Sequence, residues 1–495
     1  MIDNFIAGSV ALFGDPFTIG IFVFGVIGGM LFGAIPGVSM LTLAAILLPF
    51  TANLEPAQGV MLFAVIYCTG TYGGAITAIL FNIPGAPENA PTAFDGYPMT
   101  RKGQSGKAVG AAVLCSAIGG VTSAIVMMAA TEPLANWAIS NIGPPEIFAL
   151  VFFGLAVASS VGGRTLWKGW MSVLLGLLIA TIGQDPVGGI NRYNFGFSDL
   201  AAGIAFVPAI LGFFAVSEIF VQAEKKAIGM YEAPKLSLDF PTLLELWTHK
   251  IAVVRSILVG FFCGILPGIG ATLAAFMGYG EAVRWSKNKE SFGKGNLEGV
   301  ISSETANNAA TGAAMIPLLA LGLPGGALTA MMVAVFQMHD LEPGPLVFYN
   351  SPDLIWIVFA AMFYANLSIL FIGLLETKTI LYLLKIPFQF LAPMILLLAS
   401  IGSYIGRGLV LDVMVMFVAG IMGFLLRRSG YSIPGIVLGI ILGKIGEQNF
   451  AQGMQMVHYD LLEYLSRPIC LLLIVAGSLT LLAGIYKALS FSFKS

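Results

Sequence analysis

Apolar runs long enough to cross a bilayer recur from one end of this chain to the other. Examples are Val109–Ala130, Ile204–Val221, Leu354–Leu375 and Pro468–Ile485. Each is near the ~20 residues that a helix needs to span the hydrocarbon layer. Of the 495 residues only 10% are charged, where soluble proteins carry about 25%. So few charges cannot solvate the surface of a chain this long. The expected fold is an all-α polytopic membrane protein with roughly 12 transmembrane or re-entrant segments.

Other classes of function find little support. The net charge of −2 gives no electrostatic reason to bind nucleic acid. The chain lacks G-x-x-x-x-G-K-[ST], so it has no P-loop for ATP. It lacks HExxH and any Cys/His cluster, and His249, His339 and His458 are scattered. No nucleophile is paired with a base, so an enzyme is not expected, nor a cofactor. The isolated Cys68, Cys115, Cys263 and Cys470 lie in apolar runs and read as packed thiols. The start, MIDNFIAGSV, has no basic n-region and does not read as a cleaved signal peptide.

Glycine is abundant, 60 residues, and part of it sits beside prolines that interrupt apolar stretches. Four breaks stand out: Gly33-Ala-Ile-Pro36-Gly37, Asn82-Ile-Pro84-Gly85, Gly264-Ile-Leu-Pro267-Gly268 and Gly322-Leu-Pro324-Gly325. The first and third share G-x-x-x-G-x-x-P-G, beginning at Gly29 and Gly260, with an offset of 267 − 36 = 231. The second and fourth align at 324 − 84 = 240. The extra nine fall in the polar insertion around Lys287–Gly299. Two matches in one order indicate an internal duplication. A chance match of Gly-rich membrane sequence is the competing explanation. The implied organisation is a first repeat half over residues 1–222, a polar cytoplasmic linker over 223–250 and a second half over 251–495.

Basic residues give the orientation. After break one, Thr51-Ala-Asn-Leu-Glu-Pro has no Lys or Arg, whereas Arg101, Lys102 and Lys107 follow break two. In the second half the order swaps. Arg284, Lys287, Lys289 and Lys294 follow break three, and His339-Asp-Leu-Glu-Pro follows break four. Lys and Arg favour the cytoplasmic side, so equivalent loops fall on opposite sides, as inverted repeats require. The loop Thr131–Glu146 is expected outside. Arg164, Lys168, Lys225, Lys226, Lys378, Lys385, Arg427 and Arg428 are expected inside.

A proline in a membrane helix removes a backbone donor, and lipid cannot satisfy the freed groups. Such a break must line protein or a water-filled cavity. It also exposes helix ends: the N-terminus suits a carboxylate, and the carbonyl end suits Na⁺. The candidate binding residues are therefore Pro36, Gly37, Pro84, Gly85, Pro267, Gly268, Pro324 and Gly325, with the polar neighbours Ser39, Thr77, Asn82, Gly270, Thr272, Asn307, Asn308 and Thr311. Glu304, beside the two asparagines, is a candidate ion ligand or proton site, and Glu88 has similar standing. The alternatives are that any one break is a kink or loop end, that the hydroxyls and amides only join helices, and that Glu304 caps a helix.

These same residues resemble a known family. Gly29–Gly37, Tyr72-Gly-Gly-Ala-Ile-Thr-Ala-Ile-Leu-Phe-Asn82-Ile-Pro-Gly85, Phe292–Asn308 and Ile316–Gly325 are similar to the large membrane subunit of the tripartite tricarboxylate transporters. The likeness runs from about Gly25 to the last helices. It implies ion-gradient-driven secondary uptake of a carboxylate across the bacterial inner membrane. It implies a periplasmic solute-binding protein that delivers substrate, a small membrane subunit, and co-transported Na⁺ or H⁺ with ligands unassigned. A stand-alone carrier or channel without a binding protein is the alternative. Importing a dianion against ~100 mV costs about 4.6 kcal/mol, so without ATP two or three cations would have to accompany it.

Overall fold

The computed structural model describes residues 1–35, 38–161, 166–185, 188–224, 240–266, 270–383 and 388–492. Helix dominates. The one sheet among the described residues is the short pairing of Gly183–Gln184 with Asn191–Arg192. Among the described residues six helices have the length and apolarity to cross a membrane: Pro16–Ala34, Pro56–Phe81, Ser105–Asn141, Phe206–Glu224, Pro352–Glu376 and Val410–Arg428. Shorter apolar helices accompany them, including Met40–Asn53, Ala327–Met338 and Pro468–Ala483. The chain is an all-α, multi-pass membrane protein.

Local signals set the helix boundaries. Asp15 accepts the Thr18 amide and caps the helix Pro16–Ala34. Glu55 and Gln58 form a capping box in front of Pro56–Phe81, whose first residue is a proline. Both choices suit a helix start, where amides lack intrahelical acceptors and a proline loses nothing. At the other end Asn82 turns left-handed, with φ 58°, and closes that helix. Gly322, 240 residues later, closes Leu297–Leu321 in the same way with φ 73°.

The offsets found in the sequence recur in the packing. A Cβ at Gly33 would collide with Gly70, and one at Gly264 with Ala310. Gly29 likewise lies against Ile66, and Gly260 against Ala306. Gly85 folds back on Gly74 and Gly325 on Ala314. In every case one partner shifts by 231 or 240 and the other by 240. The glycines are needed because the helix backbones touch there, leaving no room for a side chain. The helices Pro56–Phe81 and Leu297–Leu321 are almost wholly buried, and they meet where the Asn308 amide donates to the Cys68 carbonyl at 3.2 Å.

The ends of the chain interlock with distant segments. Helix Ile2–Gly14 packs on Pro352–Leu383, with Gly8 against Trp356 and Phe5 edge-on to Phe363. Helix Pro468–Ser492 packs on Pro144–Val161 through Gly477 and Phe152.

One expectation changes. The stretch expected as an outside loop from Thr131 is mostly helix: Ser105–Asn141 continues through Pro133, and the turn before Pro144 is short. One interior proline removes a single bond, which buried neighbours can offset in a long packed helix. Ile433–Met456 is one continuous helix. Of the linker, residues 225–239 lie outside the described residues, as do Arg164 and Lys385. The remainder of the linker includes the helix Leu243–Thr248, tied to the basic loop by Lys107–Glu245 at 3.1 Å. The four cysteines are free and buried.

Candidate functional site

Segments that follow all four breaks meet at one cavity of about 300 Å³. Met40 and Leu41 come from the helix after break one, and Pro87 and Glu88 from the turn after break two. Gly270, Ala271 and Thr272 start helix Gly270–Trp285 after break three. Gly326, Ala327 and Leu328 start helix Ala327–Met338 after break four. Ser432, Pro434 and Gly435, at the start of Ile433–Met456, supply a fourth helix N-terminus on the far wall. First-turn amides have no acceptor within their own helix, and each N-terminus carries partial positive charge. The cavity is thus suited to an anion with several oxygens, with no Lys or Arg among its lining residues.

One wall group has the opposite sign. Glu88, 6% exposed, receives the Thr272 hydroxyl at 3.3 Å across the two repeats. A carboxylate there repels an anion unless a cation or proton neutralises it, because charge is poorly screened in a site of low dielectric.

A larger space of about 690 Å³ adjoins this cavity, sharing Met40, Leu41, Pro87, Glu88, Ser432 and Pro434 with it. It leads past Ser39, Pro84 and Gly85 to Arg427 and Arg428. These arginines pair with Glu218 and with Glu224 (3.2 Å), respectively. The cavity therefore connects to the basic end of helices Phe206–Glu224 and Val410–Arg428.

Behind the cavity lies a polar cluster with no exposure. Glu304 accepts the Thr92 hydroxyl at 2.5 Å and the Ser116 hydroxyl at 2.9 Å. Asn89 donates to the Thr71 carbonyl at 2.8 Å, and Asn307 to the Glu88 carbonyl at 3.5 Å. This reads against a capping role for Glu304, which sits in the second turn or deeper of Leu297–Leu321.

The expected site residues divide accordingly. Ser39, Pro84, Gly85, Gly270 and Thr272 line one or other space. Pro324 and Gly325 are buried at the turn that presents Gly326. Glu304 and Asn307 belong to the cluster behind. Asn308 and Thr311 lie at the helix crossing, where the Thr311 hydroxyl is 3.9 Å from the Cys68 thiol. Thr77 caps its own turn through the Gly74 carbonyl. Asn82 is exposed and acts as the left-handed cap, not as a wall of the cavity. Pro36, Gly37, Pro267 and Gly268 lie outside the described residues. The residues that sequence reasoning passed over are Ser432, Pro434 and Gly435. Their signal was present: Ser432-Ile-Pro434-Gly435 is a further Pro-Gly break, directly after the basic pair.

The comparisons with known proteins agree with this arrangement. The model of the tripartite tricarboxylate transporter TctA family matches residues 19–438. An uncharacterised 52.8 kDa protein from the TAR-I ttuC' 3' region of Agrobacterium vitis is 36% identical over 460 residues, 92% of this chain and 90% of that protein. A second Agrobacterium vitis protein, from the TAR-II ttuC' 3' region, is 36% identical over 218 residues, 44% of this chain and 90% of that protein. No solved structure matches the chain. A likeness that spans most of the chain, with helix breaks facing one cavity, leads to one conclusion: this chain belongs to the TctA family of the tripartite tricarboxylate transporters.

Proposed function

We propose that the chain carries a carboxylate across the bacterial inner membrane by secondary, cation-driven uptake, receiving it from a periplasmic binding protein and working beside a small membrane subunit. The observation that carries this reading is the cavity faced by four helix N-termini and the turn at Pro87, a carboxylate-sized space with partial positive charge and no fixed cation. The halves 1–222 and 251–495, joined by 223–250, are taken as inverted repeats because their basic loops alternate in opposite order. On that orientation the larger space opens to the cytoplasm.

Alternating access has structural support. A further cavity of about 340 Å³ lies at the other end of the same helix pair, where Phe206 and Asp412 face Pro49 and Gln337. The seam between the break-bearing helices and this pair thus has a recess at each end, and the recess at the basic end adjoins the anion cavity. Opening one recess while the other closes would move substrate through.

The test is uptake of labelled tricarboxylates, dicarboxylates and aromatic acids into proteoliposomes holding the chain with its two partners. Uptake is expected to need a cation gradient and the binding protein. Full uptake without the binding protein would identify a stand-alone carrier. Uptake unchanged after the gradient is collapsed would overturn the coupling.

A further inference from the structure

An anion that leaves the cavity through the larger space meets fixed cations there. The cavity itself has no Lys or Arg in its wall, whereas the adjoining space of about 690 Å³ is lined by Arg427 and Arg428. Both lie in the last turn of helix Val410–Arg428. Neither is free. Arg427 pairs with Glu218, and Arg428 with Glu224 at 3.2 Å. Both acids line the same space. Gln222, a third lining residue, donates to the Glu218 carboxylate at 2.7 Å and holds it in place.

The two pairs differ in burial. The Glu218 side chain is only 11% exposed, against 44% for Glu224. Water and salt screen a buried charge much less than an exposed one, so the Arg427 pair is the stronger of the two. The Arg428 pair stands largely in water, where such contacts contribute little. A role as a simple tie between helices Phe206–Glu224 and Val410–Arg428 does not account for the Glu218 pair. That crossing is already closed by backbone contact, with Gly420 against Val216 and Gly423 against Ser217.

We infer that Glu218 is a built-in competitor for the substrate carboxylate at Arg427, and that Glu224 does the same, more weakly, at Arg428. An unpaired guanidinium is a strong carboxylate site, because its planar fork gives two parallel hydrogen bonds. Two such groups side by side at the mouth would trap a departing anion. A station on a transport path has to attract its ion and still let it go. With the acids in place, the arginines keep their positive charge near the path, while a carboxylate that binds them has first to displace Glu218 or Glu224.

The arrangement also bears on which acids are affected. Arg427 and Arg428 are consecutive and line one space, so an anion with two or three carboxylates can engage both. A monocarboxylate can engage one. Glu218 and Glu224 therefore matter most for the release of multivalent acids. The inference rests on the reading of this space as the exit path for a carboxylate. Its test uses direct binding, with no gradient and no partner subunit, so failure of uptake and failure of this inference are separate results.

The test is thermal unfolding of the purified full-length chain in lipid nanodiscs, with sodium citrate or sodium acetate titrated against NaCl at constant ionic strength and fixed Na⁺. Glu218→Gln keeps the shape and the Gln222 contact but releases Arg427. Citrate should raise its Tm saturably, with half the effect at a concentration at least about tenfold lower than in the unaltered chain. Glu218→Gln combined with Arg427→Gln should lose that gain. Acetate should gain less than citrate. Glu224→Gln, on the exposed pair, should show a smaller fall of about two- to fivefold, and it carries the test if Glu218→Gln yields no folded protein. A lower Tm in Glu218→Gln with an unchanged citrate response would make the pair a structural tie and overturn the inference. A gain that survives in the double variant would move the anion away from Arg427 and overturn it too. An equal gain with acetate would overturn the two-arginine site.

Discussion

The Asn308 side chain donates to the carbonyl of Cys68 at 3.2 Å, and these two residues are counterparts, because 308 − 68 = 240. On the proposed duplication, a residue touches its own counterpart only close to the axis that relates the two repeats, which puts that axis at the crossing of Pro56–Phe81 and Leu297–Leu321. Glu304 and Asn307 are on the same helix face as Asn308, one turn or less away.

Equivalent glycines should fail equally. Gly33→Val and Gly264→Val each force a side chain into a neighbouring backbone, and overpacking of that kind costs typically 1–3 kcal/mol. Both variants should lower Tm in detergent by similar amounts. Gly20→Val, at a position with open space around it, should not. A strong effect at only one of the pair would show that the two packings are not equivalent.

Asn82 should matter for folding and not for transport. Its left-handed φ of 58° is tolerated by Asn and Gly and resisted by β-branched residues. Asn82→Gly should keep normal uptake per molecule. Asn82→Val should reduce Tm and yield. Loss of uptake in Asn82→Gly, at normal yield, would return Asn82 to the site.

Vestibule residues should be reachable from one side only. The native cysteines are buried, so background labelling is low. Ser39→Cys and Gln222→Cys, both lining the larger space, should react with a membrane-impermeant maleimide in inside-out vesicles and not in right-side-out ones. The reverse pattern would invert the assigned orientation.

Thr272→Val should weaken substrate handling through Glu88. It removes the hydroxyl that holds the Glu88 carboxyl across the cavity, and a hydrogen bond to a charged group contributes about 1.5–3 kcal/mol. Initial-rate uptake should show KM raised by about tenfold or more, with the amount of folded protein unchanged. An unaltered KM would remove Thr272 from the wall.

Asp95 is expected to hold the polar insertion. Fully buried, its carboxylate accepts the amides of Gly295 and Asn296 at 2.8 Å and the Tyr279 hydroxyl at 2.9 Å. Asp95→Asn replaces one acceptor with a donor and should lower Tm. Amide hydrogen exchange over residues 286–296 should speed up. Unchanged exchange there would assign the ordering of that loop to other contacts.

The limits of sequence reasoning have physical causes. The breaks were legible because Pro-Gly in an apolar run has few explanations in lipid. The fifth, at Pro434, was missed because it follows the basic pair and reads as the edge of a span. Asn82 was ambiguous for a related reason: an amide beside Pro-Gly serves a cap or a ligand equally well, and the structure shows its left-handed φ and exposure. Glu88 could be named but not placed, since its contact with Thr272 joins residues 184 apart.

Sequence alone determined that this chain lives in a membrane, is helical and is broken by Pro-Gly at places that recur with offsets of 231 and 240. Each property comes from composition or spacing, because lipid forbids most alternatives. Tertiary structure decided which polar residues face the anion cavity, which lie behind it and which only close a helix. That distinction rests on how helices distant in sequence cross, and on which buried polar atoms are left without a partner. Neither is written in the order of residues along the chain.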